Sequence, residues 1–137
     1  MRTIKFRGKE RRTGKWFYGN LYVKDTRGRT HICTPERGCF DIDPETVGQF
    51  IGLYDKDGKE IYEGDILLLG NSPSAVFEVK WNESIAAFCI RFNFENEIGS
   101  RPLGEWLAEK KNTAIIGNVF DNPELMKRNE ESKDYKA

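Results

Sequence analysis

Bulky apolar side chains recur at every second position in several short stretches, which is the spacing of residues on one face of a β-strand. Two such rows follow one another in the second half of the chain: Ala75, Phe77, Val79 and Trp81, then Phe88, Ile90, Phe92 and Phe94. Two facing rows of this kind predict an antiparallel strand pair with aromatic contacts between the strands. The alternation therefore predicts a mainly β fold.

The N-terminal part carries the same signal. Alternating or aromatic-rich stretches predict three short strands, at residues 3–7, 15–23 and 30–34. Gly19 and Asn20 interrupt the second stretch, so we expect a bulge or a break there. Clusters of glycine and charged residues predict turns between the strands, and a loop follows around Pro35 and Gly38. We therefore predict an N-terminal basic β-meander subdomain over residues 1–46.

Turn and cap signals divide the central part. Asp43 can cap a helical turn that begins at Pro44, because proline suits the first helical position. Asp57 and Gly58 predict a tight hairpin turn, since Asp-Gly supplies the positive φ angles that such a turn needs. The first turn joins predicted strands at residues 47–53 and 60–62. A second turn is predicted by Glu63, Gly64 and Asp65, between the strands at residues 60–62 and 66–69. Residues 71–74 end the latter strand.

The C-terminal part combines short helices with a last strand. Helical spacing predicts a short helix over residues 103–110, and a strand follows at 113–120. Asn122, followed by proline, predicts another short helix through Met126. We predict a small SH3-like or partly open β-barrel with a short C-terminal helix over residues 47–127, packed beside the meander. A charged, disordered tail is predicted over 128–137.

The chain has three cysteines, Cys33, Cys39 and Cys89. An odd number of cysteines without a CxxC pair argues against a disulfide framework. We expect them to be ordinary small core or loop residues. His31 is the one histidine, so the sequence predicts neither a structural metal site nor a cofactor. His31 and Cys33 share a strand face, which is the geometry of a catalytic dyad, but such neighbours are common in strands.

Charge is distributed unevenly although the chain is neutral overall. Residues 1–29 contain ten Lys or Arg and two Asp or Glu, a net charge of +8. Residues 30–65 contain three against nine, a net charge of −6. The two segments can pair within one chain or between two chains, and we favour this pairing because the excesses nearly cancel. Pairing between two chains gives a homo-oligomer, and we expect one.

The basic segment offers a second interpretation. Aromatic side chains can stack on bases while Lys and Arg neutralise phosphates. On this hypothesis nucleic acid is a partner, bound by Arg2, Lys5, Arg7, Lys9, Arg11, Arg12, Lys15 and Trp16. The alternative, which we favour, is that the aromatic residues form core and the charges form the solvated face.

Two further features bear on class and location. No stretch has the roughly 20 apolar residues that cross a bilayer, and no signal-peptide core follows the N-terminus. We therefore expect a cytoplasmic protein without a membrane partner, and no small-molecule ligand is indicated. The acidic residues of segment 55–65 permit a hydrolase, but turn formation explains them better.

Four segments of the chain carry a resemblance to a known protein family. Residues 52–66, GLYDKDGKEIYEGDI, resemble the central signature of the YopX family of phage and prophage proteins. Residues 4–7, IKFR, and 116–125, IGNVFDNPEL, are similar to its start and end, and residues 43–50, DPETVGQF, fit the approach to the centre. The resemblance implies a largely β fold with a barrel-like part, a phage or prophage gene context and an intracellular location. It implies no activity and no catalytic residues.

From these features we expect a non-enzymatic phage accessory protein that acts through binding and self-association. Nucleic-acid binding by the basic aromatic segment is the alternative, and a hydrolase is the third. The family-motif residues Asp57, Gly58, Glu63, Gly64 and Asp65 are expected to form structural turns.

Overall fold

The computed structural model describes residues 1–70, 76–91, 100–109 and 111–126. The fold is mainly β, as predicted. Its strands are β1 (Phe6–Lys9), β2 (Trp16–Tyr22), β3 (Thr30–Thr34), β4 (Gly38–Ile42), β5 (Gly48–Tyr54), β6 (Glu60–Tyr62), β7 (Asp65–Leu69), β8 (Val76–Asn82), β9 (Ala87–Arg91), β10 (Ser100–Pro102) and β11 (Thr113–Asn118). One α-helix, α1 (Leu103–Glu109), and two 3₁₀ helices, Pro44–Thr46 and Pro123–Met126, complete these elements.

The strands form two antiparallel sheets. One has the order β4-β3-β2-β1-β5-β6, and the other has the order β10-β9-β8-β7-β11. The chain divides into two compact units, one ending at Gly52 and one beginning at Leu53. The sequence predicts this division before Val47. The structure has it later because Gly48 and Gln49 pair with β1.

The N-terminal unit is an antiparallel meander that curls back on itself. β1 pairs with β2, β2 with β3 and β3 with β4. Ile42 at the end of β4 forms a bridge with Glu10, just beyond β1. The Asp43 N–H donates to the Lys9 carbonyl at 2.9 Å, and the Arg11 N–H donates to the Asp41 carbonyl at 2.9 Å. The predicted meander therefore wraps around its own core.

That core collects the inward residues of the meander. Phe17, Ile32 and Ile42 are buried, and their packing partners are Phe6, Leu21, Phe40 and Val47. The Phe17 and Phe40 rings stack with their centroids 3.8 Å apart. Burying one large apolar side chain stabilises the folded state by about 1.5–3 kcal/mol. Because Phe17 and Leu21 of β2 pack in this core, the side chains between them lie on the opposite, exposed face of the strand.

Two predictions in this unit are wrong. The expected bulge or break at Gly19 does not occur, since β2 is continuous and Gly19 pairs with Phe6. Glycine is needed because a Cβ there would collide with the Cys33 carbonyl oxygen. The segment after Pro35 is not only a loop, because it leads into β4, in which Phe40 and Ile42 face the core.

The predicted helical turn after Asp43 is confirmed as the 3₁₀ helix Pro44–Thr46. The Asp43 carboxylate accepts a hydrogen bond from the Glu45 N–H at 3.1 Å, and Pro44 is the first residue of the helix. The Thr46 hydroxyl in turn accepts from the Lys9 N–H at 2.9 Å. The helical turn is thus fastened to the end of β1.

The C-terminal unit contains the five-stranded sheet. Its buried side chains include Ile66, Leu67, Val76, Phe77, Val79 and Ile90. The predicted aromatic cross-strand contact is confirmed, because Trp81 pairs with Phe88 and their rings meet edge to face at 5.0 Å. Trp81 itself is exposed. An SH3-like closure of this sheet stays a prediction.

The helical predictions hold approximately. α1 spans Leu103–Glu109 and buries Leu103 and Trp106, whose ring contacts Phe77 edge to face at 4.9 Å. The second predicted helix is the 3₁₀ helix Pro123–Met126. Predictions for residues 71–74, for Ala75, Phe92 and Phe94, and for the tail from 128 onward lie outside the described residues. Within the described part of the chain, no helix is long and apolar enough to span a membrane.

Candidate nucleic-acid interface

The outer face of β2 is a row of alternate side chains, Trp16, Tyr18, Asn20 and Tyr22, which we call the β2 face. Their neighbours Phe17 and Leu21 point the opposite way and pack in the core of the meander. Tyr18 is 46% exposed and Tyr22 is 60% exposed. These two large aromatic rings are therefore presented to solvent, four residues apart on one strand.

Cations cover one end of this face. Lys9 pairs with Trp16 and Arg7 pairs with Tyr18, so all four residues lie on the same side of the sheet. The Arg7 guanidinium lies 4.7 Å from the centre of the Trp16 ring, and the Lys9 ammonium lies 5.7 Å from it. Both distances fit a cation–π contact. The Trp16 ring thus holds positive charge beside the exposed tyrosines.

The structure separates the basic residues predicted for nucleic-acid binding into groups. Lys5, Arg7, Lys9 and Trp16 form the first, and Lys5 lies 5.7 Å above the Phe50 ring. Arg11, Arg12 and Lys15 form the second, exposed in the turn between β1 and β2, and Arg2 is exposed before β1. Arg7 is only 6% exposed. Arg7 can therefore support the face, but it is badly placed to neutralise a phosphate.

A surface groove of about 370 Å³ lies beside the β1–β2 turn, lined by Glu10, Arg11, Arg12 and Asp41. Asp41 forms ion pairs with both Arg11 and Arg29, each at 3.7 Å. Arg11 and Arg29 belong to the basic segment and Asp41 to the acidic one. The two segments therefore pair, at least in part, within one chain, which is one of the two arrangements predicted from the charges.

Asp25 organises the turn between β2 and β3. Its carboxylate accepts hydrogen bonds from the N–H groups of Arg29 at 3.0 Å and Arg27 at 2.8 Å, and the His31 ring nitrogen Nε2 lies 2.8 Å away. These contacts, with Arg29 the largest, lower the Asp25 pKa to about 2. His31 thus serves the turn rather than an isolated dyad with Cys33.

Cys33 and Cys39 form a disulfide, which corrects the prediction that all three cysteines are ordinary core or loop residues. They are paired directly across β3 and β4, with their Cα atoms 3.9 Å apart. The third cysteine, Cys89, is free and buried in β9, which makes the total odd. The odd total therefore did not indicate the Cys33–Cys39 pair in the sequence. Recognising β4 as a strand would have placed Cys39 opposite Cys33.

Asp57, Gly58, Glu63 and Gly64 of the family motif lie in turns, whereas Asp65 is the first residue of β7. The buried Asp55 holds the first of these turns. The Asp55 carboxylate accepts from the N–H groups of Asp57 and Lys59, both at 2.9 Å, and from Ile115 in β11 at 3.1 Å. Burial raises the Asp55 pKa, but these three hydrogen bonds outweigh it and hold the pKa below its ordinary value. Asp55 is therefore an ionised structural anchor.

The second turn is built in the same way. Gly64 adopts a φ of 89°, which favours glycine, and its N–H donates to the Val79 carbonyl at 2.9 Å. Asp65 is buried, and its carboxylate accepts from the Tyr62 N–H at 2.8 Å. Glu63 precedes Gly64 in this turn. At each of the two turns, a buried aspartate therefore accepts hydrogen bonds from backbone N–H groups through its carboxylate.

Metal binding finds no candidate in the part of the chain that the structure describes. Over residues 1–70, 76–91, 100–109 and 111–126, no three His, Cys, Asp or Glu side chains are grouped so that they could hold a metal ion.

The fold and these two turns define a mainly β protein of two antiparallel sheets with an anchored central hairpin. A model of the YopX protein family matches residues 5–127, and the chain belongs to that family. The crystal structure of protein EF1440 from Enterococcus faecalis is similar, with a TM-score of 0.58 and 20% identity over 92% of this chain and 99% of that chain. At this identity the likeness concerns the fold alone. No curated protein matches the sequence significantly.

Proposed function

We propose that this chain is a non-enzymatic binding module of phage or prophage type, and that the β2 face binds single-stranded nucleic acid. The observation that carries the proposal is the pair of exposed tyrosines, Tyr18 and Tyr22, beside a tryptophan that holds two cations. Such a combination of stacking surfaces and positive charge is what sequence-tolerant single-strand binders use.

The spacing of the β2 face suits an extended strand of nucleotides. Side chains two residues apart on a strand are separated by about 6.8 Å, and those four apart by about twice that. Tyr18 and Tyr22 can therefore each stack one base, with an unstacked nucleotide between them at Asn20. The Asn20 amide is exposed and carries both donor and acceptor atoms, which suits the edge of that base.

Phosphate contacts come from the exposed turn between β1 and β2. Arg12 and Lys15 are exposed there, next to the start of β2 at Trp16. Arg11 shares Asp41 with Arg29, so part of its charge is compensated. A binding site built in this way has few phosphate contacts, and we expect modest affinity that falls as salt is raised.

Fluorescence anisotropy with a labelled single-stranded oligonucleotide at low salt tests the proposal. The double variant Tyr18→Ala/Tyr22→Ala should bind at least tenfold more weakly, since each stacked base is worth about 1–3 kcal/mol. Tyr54→Ala is the matched control, because Tyr54 is 54% exposed but lies on β5. The parent and the control should bind alike.

Two results would contradict the proposal. One is an absence of binding by the parent at tens of micromolar protein. The other is an unchanged affinity of the double variant, which would move any binding away from the β2 face. A duplex of the same sequence should bind more weakly than the single strand, because its bases are not free to stack on side chains.

Self-association is the second candidate, and an exposed aromatic hairpin favours it. Trp81 lies near the end of β8 and is 46% exposed, and Ile85 lies in the turn between β8 and β9 and is 49% exposed. Light scattering on an eluting peak at low and high salt tests it. A dimer that persists at high salt and dissociates in Trp81→Ser would support association through this hairpin, whereas a monomer at every concentration would contradict it.

A further inference from the structure

The disulfide between Cys33 and Cys39 lies on the outer side of the β3–β4 hairpin. Ile32, Phe40 and Ile42 point inward to the core, so the alternate positions Cys33 and Cys39 point outward. Cys33 is also paired with Asn20, which belongs to the β2 face. The two sulfur atoms are therefore close to the protein surface, on the same side of the sheet as the exposed tyrosines.

The two cysteines differ in exposure. Cys39 is exposed, whereas Cys33 is half-buried between β2 and β4. β4 is the last strand of its sheet among the described residues, and its hydrogen bonds to the end of β1 begin only at Asp41. The side of Cys39 that faces away from Cys33 is thus the open edge of the sheet.

This geometry determines which sulfur a thiol can reach. A thiolate attacks one sulfur of a disulfide in line with the S–S bond, from the side opposite the leaving sulfur. For Cys39 that path comes from the open edge, and for Cys33 it comes from above Asn20 on β2. We propose that Cys33–Cys39 is a reversible exchange site for small thiols of the glutathione class, with Cys39 as the attacked sulfur.

The exchange has two balanced steps. In the first, a thiolate forms a bond to the Cys39 sulfur while the Cys33–Cys39 bond breaks, and Cys33 leaves as a thiolate that takes up a proton. In the second, another thiolate attacks the added sulfur of the mixed disulfide, which releases Cys39 and one oxidised disulfide of the small thiol. Two electrons pass from two small thiols to the protein disulfide, and the reverse steps restore it.

The consequence for the fold is local. The disulfide closes a short loop, residues 34–38, and the β3–β4 pairing has its own hydrogen bonds and core contacts. Cys89 takes no part because it is buried in β9. Opening the disulfide should therefore release the end of the hairpin around Thr34 and Gly38 while the rest of the sheet persists.

The test uses the full chain in buffers of reduced and oxidised glutathione at several ratios, without denaturant. Acid quenching, alkylation and intact mass measurement then give the populations of disulfide, mixed disulfide and dithiol. We expect conversion from disulfide to dithiol as the reduced fraction rises, reversal when the oxidised fraction is restored, and peptide mapping that places the transient glutathione adduct on Cys39.

Single variants provide a second readout. Each single variant leaves one of the two cysteines free to react with oxidised glutathione. Cys39 in Cys33→Ser should form the mixed disulfide at least tenfold faster than Cys33 in Cys39→Ser. Cys89→Ser is the control and should exchange like the parent. The proposal is overturned if the native chain stays fully disulfide-bonded or fully reduced at every ratio. An adduct mapped mainly to Cys33, in the parent or at equal rates in the variants, also overturns it. None of these results depends on nucleic-acid binding.

Discussion

The carboxylate of Asp55 accepts a hydrogen bond from the backbone N–H of Ile115 at 3.1 Å, across 60 positions of sequence. The same carboxylate accepts from two N–H groups of its own turn, at Asp57 and Lys59. The Lys56 N–H adds a backbone bond to the Thr113 carbonyl at 3.0 Å. The hairpin turn at residues 55–59 is therefore held to β11 by hydrogen bonds from both its carboxylate and its backbone.

Loss of this anchor should destabilise the C-terminal unit. In Asp55→Ala three backbone N–H groups lose their acceptor, and one hydrogen bond to a charged group contributes about 1.5–3 kcal/mol. We expect the free energy of unfolding, measured by urea denaturation, to fall by at least about 3 kcal/mol. Asp57→Ala, an exposed change in the same turn, is the control and should cost less than about 0.5 kcal/mol. Equal losses would show that the Asp55 contacts are not what stabilises the turn.

Gly19 is a second position with a specific structural requirement. In Gly19→Ala the added Cβ meets the backbone carbonyl of Cys33, which cannot move without disturbing the β2–β3 pairing. Overpacking of this kind costs about 1–3 kcal/mol. The control is Gly104→Ala in α1, where nothing lies within 4 Å of the new Cβ. That change should instead stabilise by up to about 1 kcal/mol, because alanine is the better helix former. Thermal unfolding of both variants checks the opposite signs.

Local patterns predicted much of this fold because they act over few residues. The alternation along β8 and the Asp43–Pro44 helix start were readable since each depends on immediate neighbours, whereas the expected interruption of β2 at Gly19 was wrong. β4 and the Cys33–Cys39 disulfide were missed together, because a cysteine count carries no information on strand register. The Asp55–Ile115 bond was missed because it joins residues that only the tertiary fold brings together. For the candidate interface, the sequence supplied the basic and aromatic residues but not that Arg7 is buried while Tyr18 and Tyr22 are exposed.

Asp25 should make stability depend on pH in the acid range. Its folded-state pKa is about 2, below the ordinary 3.8, so the folded protein binds this proton less readily than the unfolded chain does. The stabilisation is therefore fully present above pH 4 and is lost as the pH falls towards 2. Asp25→Asn lacks it, so the difference in unfolding free energy between parent and variant should shrink over this window. An NMR titration of the Asp25 carboxyl gives the pKa directly, and a value near 3.8 would contradict the turn network.

The phosphate contacts proposed for the β1–β2 turn have a signature in salt dependence. Each phosphate neutralised on a single strand contributes about 0.7 to the slope of log affinity against log salt. Arg12→Gln/Lys15→Gln should therefore lower the slope by about 1.4 and weaken binding at low salt. Lys56→Gln/Lys111→Gln removes the same charge from exposed positions of the C-terminal unit and should leave the slope near that of the parent. Equal slopes for both double variants would assign the attraction to net charge rather than to the turn.

Reduction of the Cys33–Cys39 disulfide should lower stability by a modest amount. A cross-link acts mainly on the unfolded chain, and the loop closed here is short. The chain-entropy relation gives about 2 kcal/mol for a loop of this length, compared with about 4.7 kcal/mol for a 100-residue loop. Urea denaturation of the parent with and without reductant measures the difference in the free energy of unfolding. Cys33→Ser/Cys39→Ser should have the stability of the reduced parent, and reductant should not change it. Unfolding on reduction would contradict this, because the core of Phe17, Ile32 and Ile42 is expected to hold the meander without the cross-link.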